Sequence, residues 1–279
     1  MRTEPQSILK STATTSSLTR IGRVARLFGH LAIGVFILAT RYSRLAHAER
    51  AVVTRRWAAH ALKILGISVR INGVNPGFYP PNTLLVANHI SWLDIFVLNS
   101  CTVSRFVAKR EIRSWPVLGW LAHLGGTLFI DRSKRKDASR VYKALAHAME
   151  NGACMAVFPE STTSDGLNLL PFKASLFEAA LLSRGTVQPV GLRYYGADGQ
   201  QTLEPAFIGD LTFLQSVRKV LAMPAMEVEV SYGQPLKAWE NGLETRFALA
   251  ERAQQEVARA LRLSPPPAAE APQEPARQH

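Results

Sequence analysis

The sequence predicts an α/β fold: a central, mostly parallel sheet with helices on both faces, preceded by an N-terminal pair of membrane-associated helices. Three observations lead there. From residue 71 onward, short apolar runs bounded by turn residues alternate with segments of helical periodicity. Those runs, such as Thr83–Ala87 (TLLVA), are continuous rather than alternating, as expected of strands buried on both faces. Upstream of residue 71, arginines surround the most apolar stretch of the chain.

The N-terminal elements follow from that stretch. Leu27 to Thr40 carries no formal charge and is bracketed by Arg26 and Arg41. As a helix it covers about 21 Å, short of a hydrocarbon core of about 30 Å. Basic residues flank it on both sides, whereas a simple span keeps them on one. Both features favour a helix that dips into one leaflet and returns. A second, basic amphipathic helix is expected from Glu49 to Ile67, with Val52, Val53, Trp57, His60, Ala61, Ile64 and Leu65 at three- and four-residue steps. Ala46-His47-Ala48 has the form of a leader-cleavage site, but Arg41 and Arg44 separate it from the apolar run, which favours a retained segment. The leader, rich in Ser, Thr and Arg, also has the composition of an organellar transit segment.

In the body, strands are expected at Thr83–Ala87, Arg105–Ala108, Thr127–Ile130, Cys154–Phe158, Val187–Tyr194 and Ala225–Tyr232. Helices are expected near Leu93–Asn99, Val117–His123, Asp137–Asn151, Ala174–Ser183, Leu211–Leu221 and Leu243–Leu261. Asn82, Asn151-Gly152, Pro159, Gly185 and Pro189 punctuate them. The expected organisation is a loose leader (1–19), membrane-associated helices (20–70), the α/β body (71–263) and a disordered Pro/Ala-rich tail (264–279).

Composition narrows the function. The 279 residues carry a net charge of +12, which on its own fits nucleic acid, an anionic membrane or acidic ligands. Residues 1–70 hold twelve Lys or Arg against two acids, Glu4 and Glu49, so ten of those twelve charges sit ahead of the body. A nearly neutral body lacks the footprint of a nucleic-acid binder and fits a protein held to an anionic membrane surface. Two cysteines, Cys101 and Cys154, exclude a disulfide scaffold and a Cys-rich metal site.

Four clusters lie at or beyond the ends of expected strands, where α/β proteins place ligands. Asn88-His89-Ile90-Ser91-Trp92-Leu93-Asp94 follows TLLVA. His89 is able to take a proton near neutral pH, and Asp94 to fix its tautomer and stabilise the imidazolium. A five-residue step does not put both on one helix face, so His89 belongs on a loop and Asp94 at a helix entry. Gly125–Arg132 leads a strand into Asp131-Arg132, and Arg132 offers a fork for phosphate or carboxylate. Phe158-Pro159-Glu160-Ser161-Thr162-Thr163-Ser164 places hydroxyls after a Glu, with Lys173 seven residues beyond Gly166. Val187–Tyr194 on its own is a buried strand with a turn and carries no functional assignment.

In this order and spacing the four clusters resemble the glycerolipid, or lysophospholipid, acyltransferases over about residues 83–193. His89 and Asp94 match the family's NH-x4-D block. Gly126 to Arg132 look like G-x-x-F-I-x-R, Phe158-Pro159-Glu160 like the start of FPEGTRS, and Val187–Leu192 like the VPV block. The resemblance implies that His89 is the general base on an acceptor hydroxyl and that Asp94 orients it. The hydroxyl attacks an acyl thioester of coenzyme A or acyl carrier protein, with no cofactor, no metal and no covalent acyl-enzyme.

It further implies acceptor binding by Arg132, Glu160 and Thr162. The third block departs from the family: Ser161 stands for its glycine and Thr163 for its arginine, the residue associated with the acceptor's phosphate. That opens the choice between 1-acylglycerol-3-phosphate and lyso-ornithine lipid, since TTSDG followed by LPFKASLF looks more like the lyso-ornithine lipid branch. Lys173 and Lys109 are candidates to supply the missing charge. The alternative is a catalytically weakened lipid-surface binding protein of the same fold. The expected location is the cytoplasmic face of the inner or plasma membrane.

Overall fold

A computed structural model describes residues 14–114, 118–130, 135–237, 239 and 243–263. Helix α1 (Ser17–Thr40) opens it, capped by the Ser16 hydroxyl, which accepts from the Thr19 amide at 3.2 Å. Helix α2 (His47–Leu65) ends at Gly66, whose φ of +77° supplies the left-handed stop. The sheet strands are β1 (Ile67–Asn72), β2 (Thr83–Ala87), β3 (Arg105–Lys109), β4 (Leu128–Ile130), β5 (Cys154–Val157), β6 (Thr186–Gly196), β7 (Met226–Tyr232) and β8 (Leu236–Lys237). The remaining helices are α3 (Asp94–Cys101), α4 (Leu118–Leu124), α5 (Arg135–Glu150), α6 (Glu178–Leu182), α7 (Phe213–Ala222) and α8 (Arg246–Ala260).

The sheet order is β1-β7-β6-β2-β5-β3-β4, with β8 beside β6. Pairings are parallel except where β6 meets β7 and β8. β2 is central and buried along its whole length. Its side chains alternate between two cores: Leu84 and Val86 pack with Leu145, Met149, Leu249 and Val257 on one face, Leu85 and Ala87 with Leu65, Val97, Leu98 and Val220 on the other. This is the α/β sheet covered on both faces that the continuous apolar strands imply.

Four expectations change. The apolar helix is not a short one. It runs back to Ser17, inside the stretch expected to be loose, and its 24 residues cover about 36 Å, enough by length to cross a hydrocarbon core. Periodicity read from uncharged residues alone missed this, because Arg20, Arg23 and Arg26 interrupt the first half. Second, α2 buries Ala51, Ala58, Ala61, Leu62 and Leu65, so its apolar face is spent on α3 and the core, while Val52 is exposed. Third, the sheet begins at Ile67 rather than after residue 70, since β1 pairs in register with β7. Fourth, the expected helix from Ala174 opens as a 3-10 turn (Ala174–Phe177) before α6. The leader up to residue 13 and the expected tail from 264 lie outside the described residues.

Arg23 ties α1 to the body. Its buried guanidinium donates to the carbonyls of Leu221 (3.1 Å), Met223 (2.5 Å) and Pro224 (2.8 Å), where α7 gives way to β7. Thr15 adds a backbone bond to the Ala222 carbonyl at 2.8 Å. Part of the N-terminal charge is therefore a bolt inside the protein. Away from this contact, Leu18, Ile21, Phe28, Ile33 and Phe36 of α1 are exposed.

Candidate active site

β2 and β5 run parallel, so their carboxyl ends deliver two loops to the same edge of the sheet. The loop after β2 begins with Asn88, fully buried. Its amide continues the ladder to β6, accepting from the Leu192 amide at 2.7 Å and donating to the Leu192 carbonyl at 3.0 Å. Asn88 thereby fixes where the loop leaves the sheet. His89 follows on the loop and Asp94 is the first residue of α3, the arrangement their spacing required.

His89 Nδ1 lies 2.8 Å from Asp94 Oδ2. A carboxylate only accepts, so Nδ1 carries the proton and Nε2 keeps its lone pair in the neutral ring. The same Oδ2 also accepts from the amides of Ile90 (2.8 Å) and Ser91 (2.9 Å). Oδ1 accepts from the Tyr194 hydroxyl of β6 at 2.6 Å. Asp94 has no exposure, and the His89 side chain retains about a fifth. Burial, reinforced by Asp94, holds the Tyr194 phenol well above its ordinary range. His89 also stacks on Phe158, which in turn stacks on Phe106.

The loop after β5 closes over this pair. Ser164 donates its amide to the His89 carbonyl at 2.8 Å, and Lys173 donates its amide to the Pro159 carbonyl at 3.0 Å. Gly166 has φ +74° and lies so close to Ile90 that an added Cβ would meet Ile90 Cδ1 at 2.5 Å. Glu160 is buried beneath the loop at 4% exposure, and no donor among the described residues meets either carboxyl oxygen with good hydrogen-bond geometry, although polar groups lie near it. Burial pushes its carboxyl up to about 8, only partly offset by the polar groups of Ser164 and of the His89 backbone.

The remaining sequence candidates separate. Ser161 has φ +64°, the left-handed geometry that favours glycine. Thr162 and Lys173 are exposed. Thr163 donates its hydroxyl to the carbonyl of Phe207, whose amide in turn reaches the Ile90 carbonyl at 2.9 Å. Arg132 lies outside the described residues, just beyond β4. The structure brings His89, Asp94 and the 158–166 loop together. Sequence reading held Tyr194 at the end of the fourth cluster but gave it no role, since it lies 100 residues from Asp94. Among the described residues no cluster of three metal-ligating side chains occurs.

Such a site is able to take a proton from a hydroxyl at Nε2 while Asp94 stabilises the imidazolium. Comparison with known proteins fits this chemistry. The Acyltransferase family model matches residues 71–193. A 1-acyl-sn-glycerol-3-phosphate acyltransferase of Neisseria gonorrhoeae is 36% identical over 197 residues, 71% of this chain and 76% of that one. A lyso-ornithine lipid O-acyltransferase of Pseudomonas aeruginosa is 36% identical over 245 residues, 86% of this chain and 92% of that one. The crystal structure of the 1-acyl-sn-glycerophosphate acyltransferase PlsC from Thermotoga maritima shares the fold, with a TM-score of 0.67 at 19% identity, covering 88% and 94% of the two chains.

Proposed function

The chain belongs to the acyltransferase family, in the group of lysophospholipid and lyso-ornithine lipid acyltransferases, and from that membership we propose that it moves a fatty acyl group from an acyl thioester to the free hydroxyl of lyso-ornithine lipid. The observation that carries the reaction is the His89–Asp94 hydrogen bond on a ring whose other nitrogen is available. Nε2 takes the hydroxyl proton as the oxygen attacks the thioester carbonyl. The tetrahedral adduct collapses, the carbon–sulfur bond breaks, and the imidazolium returns the proton to the leaving thiolate. Base assistance of this kind contributes about 10²–10⁴-fold. Coenzyme A and acyl carrier protein both deliver such a thioester.

Thr163 supports the choice of acceptor. Where the family pattern has an arginine, this chain has a hydroxyl turned onto the Phe207 carbonyl. A phosphate monoester would forgo a charge-assisted bond worth about 1.5–3 kcal/mol, whereas the single carboxylate of an amino-acid head group, balanced by the head group's own ammonium, depends less on an external cation. The near full-length match to the Pseudomonas protein points the same way. Ser161 adopts the backbone geometry a glycine would supply, which favours an active site over a decayed one. The exposed apolar side chains of α1 fit attachment to the membrane that holds the lysolipid.

The test supplies the full-length protein in vesicles with lyso-ornithine lipid or lysophosphatidate, each with acyl-CoA and acyl carrier protein thioesters, and identifies products by mass. Preferential formation of diacyl ornithine lipid is expected. Preferential formation of phosphatidic acid would reverse the acceptor assignment.

A further inference from the structure

The two oxygens of Asp94 are used unequally. Oδ2 serves His89 and two backbone amides; Oδ1 has one partner, the Tyr194 hydroxyl at 2.6 Å. Tyr194 is 1% exposed, and it sits two residues past Leu192, the residue that Asn88 grips. One strand, β6, therefore fixes both the start of the catalytic loop and the far oxygen of its carboxylate. Nothing else described holds Oδ1. Without that bond only the donors at Oδ2 hold the carboxylate, which gives its plane, and the imidazole it orients, more room to rock.

Resting on the acyl-transfer reading above, we propose that Tyr194 is a positioning residue of the reaction, locking the Asp94 carboxylate so that His89 presents Nε2 in one orientation. The phenol also draws negative charge from the carboxylate, tempering the pull that Asp94 exerts on the imidazolium. Among the described residues the titratable groups that bear on Asp94 are His89, Tyr194 and Glu160. Glu160 lies on a different loop and is not bonded to it.

The variant is Tyr194→Phe, which keeps the ring and removes only the hydroxyl. In the full-length enzyme in vesicles it is expected to lower kcat about tenfold with KM for both substrates nearly unchanged. The acid limb of the pH–rate profile moves to higher pH, because a less tempered carboxylate stabilises the imidazolium more. Positioning through Asp94 also predicts non-additivity: in an Asp94→Asn background, Tyr194→Phe changes nothing further. A loss of equal size in both backgrounds, or an acid limb that stays in place, overturns the proposal.

A second measurement needs no turnover. Diethyl pyrocarbonate modifies neutral imidazole, and peptide mapping resolves His89 from the other histidines. The midpoint of its pH dependence is expected to rise in Tyr194→Phe. An unmoved midpoint defeats the positioning role even if the protein acylates lysolipids, and a wild-type protein that acylates none defeats the functional reading while the midpoint still decides on Tyr194.

Discussion

His89 lies flat on Phe158: the ring centroids are 3.9 Å apart and the planes diverge by 8°. Phe158 is the first residue after β5, so the strand next to β2 supplies the wall against which the β2 loop sets its histidine. The hydrogen bond to Asp94 fixes one edge of the imidazole, and the stack fixes its face. Replacing Phe158 with Leu keeps an apolar neighbour and removes the flat surface. Aromatic pairs contribute about 0.5–1.5 kcal/mol beyond burial, so kcat is expected to fall about threefold to tenfold. Steady-state rates at saturating thioester check this, and KM for the donor should barely change.

Ser161 predicts an asymmetric response to substitution. At φ +64° an L-residue is strained, and a β-branched one more so. Ser161→Val is expected to lower stability, since β-branching adds to a strain the serine already carries, whereas Ser161→Gly relieves a strain of about 1–2 kcal/mol. Urea unfolding midpoints compare the three proteins.

Glu160 gives a pH dependence with a definite sign. Its ordinary value is 4.5, and burial raises it to about 8 in the folded protein. Below about pH 4.5 both folded and unfolded forms hold the proton, and the group is neutral in its effect. Between about 4.5 and 8 the unfolded chain releases the proton and the folded one keeps it, so stability falls as pH rises; above about 8 the effect levels off. Glu160→Gln removes the titration. The variant's stability relative to the parent is therefore expected to climb across this window by up to about 3–5 kcal/mol. Urea midpoints of both proteins from pH 4.5 to 8 measure it, and parallel curves would mean the carboxyl is not buried as described.

Arg23 predicts that the N-terminal helix comes loose when its bolt is drawn. Arg23→Ala leaves carbonyls of Leu221, Met223 and Pro224 without their donor and is expected to destabilise the α1 contact by about 2–4 kcal/mol. Limited proteolysis should then cut within α1 faster than in the parent. Lys in its place is expected to restore only part of the protection, since an ammonium cannot spread its donors as a guanidinium does.

What the sequence made legible divides by range. β2 stands where the apolar run TLLVA predicts it, residue for residue, because Asn82 and Asn88-His89 bound it sharply. The loop-then-helix placement of His89 and Asp94 also follows from spacing alone. β1 was hidden because only Gly66 separates it from α2, and Ile67 extends the helical periodicity by one apolar residue. The first turns of α1 were hidden by arginines that a helix accommodates without difficulty, one of them buried. The side chains that hold the dyad come from elsewhere on the sheet, Tyr194 from β6 and Phe158 from just past β5. No local pattern announces that a tyrosine on β6 will meet an aspartate 100 residues earlier. Such contacts are set by strand order, and the sheet order only becomes visible once the chain is folded.

In the proposed reaction His89, oriented by Asp94, deprotonates the hydroxyl of a lysolipid. The most direct measurement compares parent and His89→Ala proteins, equally expressed in the same vesicles, for transfer of a labelled acyl group from thioester to lysolipid. Loss of the base is expected to lower transfer about a hundredfold or more while the protein stays folded and vesicle-associated. Undiminished transfer by His89→Ala would contradict that role of His89.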